Sequence, residues 1–171
     1  MKKSIITALA VLLLLAPFLL GGCGAKANAE GLAIYLTKAN IPPDKMGMLS
    51  HFEIADKPVI SQSDIVSYDW DTHEIQLTAR AFSKLEAMEI PTTGISFLVC
   101  VNKNPVYWGA FWTLVSSRTF NGVTIMLKPP MYGENIIRIE LGYPAPEFFS
   151  GSDPRNNLAI KQALEKAGKL Q

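Results

Sequence analysis

The chain of 171 residues predicts an α+β domain, a mostly antiparallel sheet with two helices packed on it. Three observations lead there. Short apolar and β-branched runs recur between residues 31 and 141, each closed by Asn, Asp, Gly or Pro. Only two stretches, near residues 79–89 and 154–167, carry apolar residues at helical spacing. The chain has two cysteines, too few for a disulfide framework, so a hydrophobic core has to hold the fold.

Residues 31–37 (GLAIYLT) form an apolar strand, and the prolines of Asn40-Ile-Pro-Pro-Asp44 forbid its continuation. Residues 51–55 offer a further short strand. Residues 65–70 and 73–78 flank Asp71-Thr72 and predict a hairpin. A helix follows over 79–89, with Thr78 as N-cap and Phe82, Leu85 and Met88 on one stripe, stopped by Pro91 and Gly94. Strands over 95–101 and 106–113 are joined by a turn at Asn102-Lys-Asn-Pro105, and a polar link leads to a strand over 123–128. Pro129-Pro130-Met-Tyr-Gly133 turns the chain into a strand over 135–141, with Arg138 and Glu140 alternating onto a wet face. The last helix opens on Asp153 and Pro154, carries Leu158, Ile160, Leu164 and Ala167, and ends near Gly168.

Residues 1–30 read differently. Lys2 and Lys3 make a charged start, the sixteen residues 5–20 carry no charge, and Leu20-Gly21-Gly22-Cys23 closes the stretch with two small residues before a cysteine. As a helix, that uncharged run would reach ~24 Å against a hydrocarbon core of ~30 Å, with Pro17 inside it. A secretory signal over 1–22 is therefore expected, with an uncleaved membrane helix and a signal without lipid as the alternatives. The last four of these residues resemble the lipobox of bacterial lipoproteins. That resemblance implies diacylglyceryl transfer to the Cys23 thiol, cleavage between Gly22 and Cys23, and acylation of the freed amine, for instance with palmitate. Membrane lipid, reached through acyl chains on Cys23, is then the first partner. Residues 23–30 would be the lipidated cysteine and its tether, and 31–171 a single domain at a bacterial membrane, facing the periplasm or the cell exterior. Cys100 lacks a partner on this reading, and its apolar surroundings make it a small buried hydrophobe.

Composition excludes one class of partner. The chain has 16 basic and 15 acidic side chains; without Lys2 and Lys3, 14 (16 less 2) face 15, and no run of like charge occurs. Nucleic-acid binding needs a concentrated basic face, so none is expected. A protein or a small molecule is the remaining kind of partner.

Residues 58–65 (PVISQSDI), 74–78 (EIQLT) before a helix, and 94–99 (GISFLV) before a hairpin at Lys103-Asn104 resemble the periplasmic domain of the SecD protein-translocation subunit. The likeness spans residues 58–128 and implies an αβ layout; this chain lacks that family's membrane helices, and no functional residue carries across. As a whole, the chain also resembles small bacterial lipoproteins, which implies an address and no activity.

Candidate chemistry is sparse. Asp69-Trp-Asp-Thr-His-Glu74 would place Asp69, Asp71 and His73 on one face of a strand, a set that could hold a divalent metal and centre a metal-assisted hydrolase, or simply be a wet hairpin turn. No nucleophile elbow, zinc-protease helix or phosphate-binding glycine loop is present, so no cofactor is expected. Tyr107-Trp108-Gly-Ala-Phe111-Trp112 puts Trp108 and Trp112 on one face of a strand and Tyr107 and Phe111 on the other. Either both faces are core, or one aromatic pair is open as a platform for a ligand; Gly109 between them suggests a bulge, and Tyr143 to Phe149 could line the same surface or clamp the terminal helix to the sheet. The expected function is that of a membrane-anchored, non-catalytic binding or accessory domain, with the hydrolase as the alternative.

Overall fold

The computed structural model describes residues 31–47, 52–127 and 132–171. Its elements, in chain order, are β1 (Leu32–Leu36), β2 (Ile65–Tyr68), β3 (Glu74–Leu77), α1 (Ala79–Glu86), β4 (Ile95–Val101), β5 (Asn104–Trp112), β6 (Phe120–Met126), β7 (Ile136–Arg138), β8 (Glu140–Tyr143) and α2 (Leu158–Lys166). The α+β class is as the sequence predicts, with the strands divided between two sheets. A five-stranded sheet runs β1-β4-β5-β6-β8 and a three-stranded sheet runs β2-β3-β7, antiparallel throughout except for β5 and β6.

One core fills the space between the sheets. Ile34, Phe97, Phe111 and Ile125 from the large sheet meet Ile65, Ile75 and Ile137 from the small one, joined by Phe82 and Leu85 of α1 and Ile160 and Leu164 of α2. The far face of the large sheet is apolar as well, with Ala33, Tyr35, Leu98 and Cys100 in one cluster and Ala110, Trp112, Phe120 and Tyr143 in another. Most of β5 is therefore covered on both faces, Trp108 only in part, in keeping with how few polar residues the strand has.

Local chemistry sets the connections. β4 and β5 are joined at Asn102-Lys103, both at positive φ (51° and 67°), the two-residue turn whose twist matches a hairpin. Thr78 caps α1, accepting a hydrogen bond from the Ala81 amide at 3.3 Å, and the helix closes at Ala87, two residues before the expected end. α2 ends on Gly168 at φ 65°, where the amides of Gly168 and Lys169 reach back to the carbonyls of Glu165 and Leu164.

Five expectations need correction. The strand over 135–141 is two strands: Arg138 pairs with Glu74 in the small sheet, Glu140 with Thr124 in the large one, and Ile139 is the step between. α2 is capped by Asn157 and not by Asp153: the helix starts at Leu158, and the Asp153 carboxylate instead holds both the amide and the guanidinium of Arg155. The polar link 113–119 is a crossover that makes β5 and β6 parallel, and Tyr143 pins it to the sheet by donating its hydroxyl to the carbonyls of Leu114 and Ser116. Gly109 is no bulge: a Cβ there would lie 2.5 Å from the Val123 carbonyl oxygen and 2.6 Å from the Phe97 ring, so glycine allows a close approach, while the register shift falls at Val99/Cys100. The expected strand over 51–55 reduces to a bridge between Ile54 and Thr37, its first residue lying outside the described residues, as do Lys128 of the expected strand over 123–128 and Pro129 to Met131 of the turn after it.

Candidate functional site

The hairpin carboxylates and His73 do not converge. Asp69 folds its carboxylate back onto the amides of Asp71 and Thr72, at 3.0 and 2.8 Å, closing a turn that is longer than Asp71-Thr72 alone. Those backbone donors lower its pKa. His73 ends the turn at φ 57°, a left-handed conformation that reverses the alternation of a strand and sends the imidazole inward. There it is 5% exposed, with Nδ1 3.0 Å from the Tyr68 hydroxyl and its ring edge-on to Trp70. Burial holds its pKa down, with the Arg155 charge acting in the same sense. Asp71 stays outside. Among the described residues no three His, Cys, Asp or Glu side chains could hold a metal ion, so the expected Asp69, Asp71 and His73 set is a turn and a core contact.

The aromatic strand splits its two tryptophans. Trp112 is 3% exposed and stacks on Phe120, with ring centroids 5.0 Å apart and planes at 15°. Trp108, on the same face, is half-buried, tilts against Phe120 at 5.9 Å, and lines an open groove of about 550 Å³ with Phe149, Asn121 and Ser150. Asn121 donates its amide to the Ser150 hydroxyl at 3.0 Å, and the Ser150 amide donates to the Asn121 carbonyl, which fixes the polar side of the groove. Phe149 therefore shares the surface of Trp108, whereas Tyr143 belongs with Trp112 under the crossover. Such a groove can stack against a flat apolar face and exchange hydrogen bonds with an amide or hydroxyl; it holds no paired acid and base.

No family model matches this chain, and neither does any curated protein or solved structure. The likeness to the SecD domain rests on the residues quoted above alone. Gly22 and Cys23 lie outside the described residues, and among the described residues no helix is long and apolar enough to cross a membrane.

A second cavity, which the sequence does not announce, lies where the chain steps between sheets at Ile139. It is a cleft of about 430 Å³ with Arg138, Glu140, Arg155, Leu114 and Met126 in its lining. Arg138 donates Nε and Nη2 to the Glu74 carboxylate and lays its guanidinium over the Tyr132 ring, 4.1 Å from the centroid. The Tyr132 hydroxyl in turn donates to Glu140, and burial together with that carboxylate raises its pKa. Arg155 spans Asp153 and the Ile139 carbonyl, donating Nη1 to the latter at 2.9 Å. The alternation of Arg138 and Glu140 is the one sequence signal of this cleft. It reads as an exposed strand face until the break at Ile139 turns both residues toward the junction of the sheets.

Proposed function

We propose that this chain is a lipid-anchored protein of the bacterial cell envelope, held at the membrane by acyl chains on Cys23, whose folded part binds a partner without catalysing a reaction. One observation carries the reading: Leu20-Gly21-Gly22-Cys23 stands directly behind a charged start and an uncharged run. A thiol at that position makes a stable thioether with a diacylglyceryl group, and two or three chains hold a protein at a bilayer where one does not. The half-buried Trp108, with Phe149, Asn121 and Ser150 beside it, supports the binding role, since an aromatic wall next to fixed polar groups is the usual composition of a recognition groove.

Metabolic labelling with a fatty acid tests the anchor. The wild-type protein takes up label, whereas Cys23→Ala takes up none and persists as the uncleaved precursor; label retained in the variant refutes the assignment. A pull-down from membranes with the lipidated protein, repeated with Trp108→Ala, tests the groove. Loss of a partner from the variant, at an unchanged unfolding midpoint, supports it, and a partner retained in full refutes it.

A further inference from the structure

Two arginines in one cleft ordinarily mark an anion site. Here neither is available. Arg155 donates Nε and Nη2 to Asp153 at distances between 2.7 and 3.2 Å and gives Nη1 to the Ile139 carbonyl. Arg138 is held by Glu74 on one side and by the face of Tyr132 on the other. Each guanidinium is thus matched by a carboxylate of its own.

Glu140 is the group left over. One of its oxygens accepts the Tyr132 hydroxyl, a neutral donor that leaves the charge in place, and among the described residues no cation is in ion-pair contact with it. Arg138 and Arg155 against Glu74, Asp153 and Glu140 leave the cleft and its immediate partners at a formal −1. Leu114, Met126 and Leu141 supply apolar walls beside that charge, and the lower local dielectric strengthens its field.

We propose that this cleft binds a small soluble cation with an apolar body, a primary amine or guanidine, whose charged head pairs with Glu140 while its body lies against Leu114 and Met126. The volume of about 430 Å³ falls within the range of small-molecule sites. Its position agrees with a soluble ligand. The described chain begins at Gly31, whose amide and carbonyl bond to Asn102, at the end of the large sheet where β5 starts. Leu114 follows the other end of β5, nine residues and roughly 30 Å away at ~3.3 Å per residue. A tether joined at Gly31 would thus attach near the opposite end of β5 from the cleft. The ligand chemistry itself does not depend on that tether, so a failed labelling experiment at Cys23 leaves it standing.

Calorimetric titration of the full chain in neutral detergent tests the proposal with three probes of matched shape: 2-phenylethylamine, 2-phenylethanol and 3-phenylpropanoate. The amine is expected to bind at least about tenfold tighter than the alcohol or the carboxylate, and more weakly as salt is raised. Glu140→Gln, which keeps the shape and the acceptor for Tyr132, should bring the amine level with the alcohol. A carboxylate that binds as tightly as the amine, an amine with no saturable binding up to ~10 mM, or a Glu140→Gln protein with unchanged amine affinity overturns it. If that variant fails to fold, the ranking of the three probes on the wild-type chain still decides.

Discussion

Replacing Trp112 by Ala and by Phe separates two opposing contributions of one side chain. The ring is 3% exposed, stacked on Phe120 and in contact with Tyr143 at 5.9 Å. Deleting a buried aromatic of this size costs ~3–5 kcal/mol, and loss of the stack adds ~0.5–1.5 kcal/mol. Against this, Nε1 is buried with no hydrogen-bond partner among the described residues, and an orphaned donor costs ~1–3 kcal/mol that the substitution returns. The Ala variant should therefore lose ~3 kcal/mol on balance. The Phe variant keeps a ring against Phe120, gives up ~1–2 kcal/mol of burial and recovers the donor, so it should fall within ~1 kcal/mol of the wild type. Urea unfolding of a chain that starts at residue 24 measures both, with an unchanged slope as the check that the unfolded states match. A Phe variant as unstable as the Ala variant would mean that Nε1 has an acceptor. An Ala variant that loses under ~0.5 kcal/mol would mean that the ring is not core at all.

Three further outcomes are expected. His73 has its folded pKa held below the usual 6.5 of a histidine by burial, so the unfolded chain binds a proton there that the folded chain refuses; stability is complete above pH 6.5 and falls as pH drops toward the folded value, and urea midpoints between pH 7.5 and 5 should show the decline in the wild type and less of it in His73→Gln. Gly142→Ala should lose more than ~2 kcal/mol by the same assay, since φ is +69° and a Cβ would lie 2.7 Å from both the Ala145 oxygen and the Phe149 nitrogen, backbone atoms that cannot rotate away; a loss under ~0.5 kcal/mol would refute the packing of residues 145–149 on β8. Cys100 is wholly buried and its thiol is pushed up to about 12, so in a chain from residue 24 a thiol reagent at pH 8 should react only at the rate of unfolding, and immediate reaction would contradict its place in the sheet.

Much of the fold is legible because the relevant signals are local. Thr78 before a helical stripe, Asn102-Lys103 between two apolar runs, and Gly168 after Ala167 each act within a few residues of themselves, and each acts in the structure as its residue type requires. What is missed is decided at long range. The run 135–141 reads as one continuous strand, since Ile137, Ile139 and Leu141 alternate without interruption; only the competition of β3 and β6 for its two halves breaks it. Asp153-Pro154 has the composition of a helix start, yet its carboxylate closes a local turn on the amide and guanidinium of Arg155, and the helix opens only behind Asn157.

The same distinction explains why the candidate sites invert. Asp69, Asp71 and His73 are conspicuous because they are close in sequence, and that closeness is what makes them a turn: a carboxylate two residues before free amides caps them, and a left-handed His73 then has only the interior to face. The charges of the cleft are inconspicuous because they come from distant segments, with Arg138 meeting Glu74 across 64 positions and Arg155 meeting the Ile139 carbonyl across 16. A strand that changes sheets must leave a gap where its two neighbours part, and polar groups that bond across that gap hold its walls. The cleft is in this sense a consequence of the step at Ile139. Its charge is a separate matter, set by whether the carboxylates and guanidiniums at that gap are equal in number; here Glu140 makes them unequal.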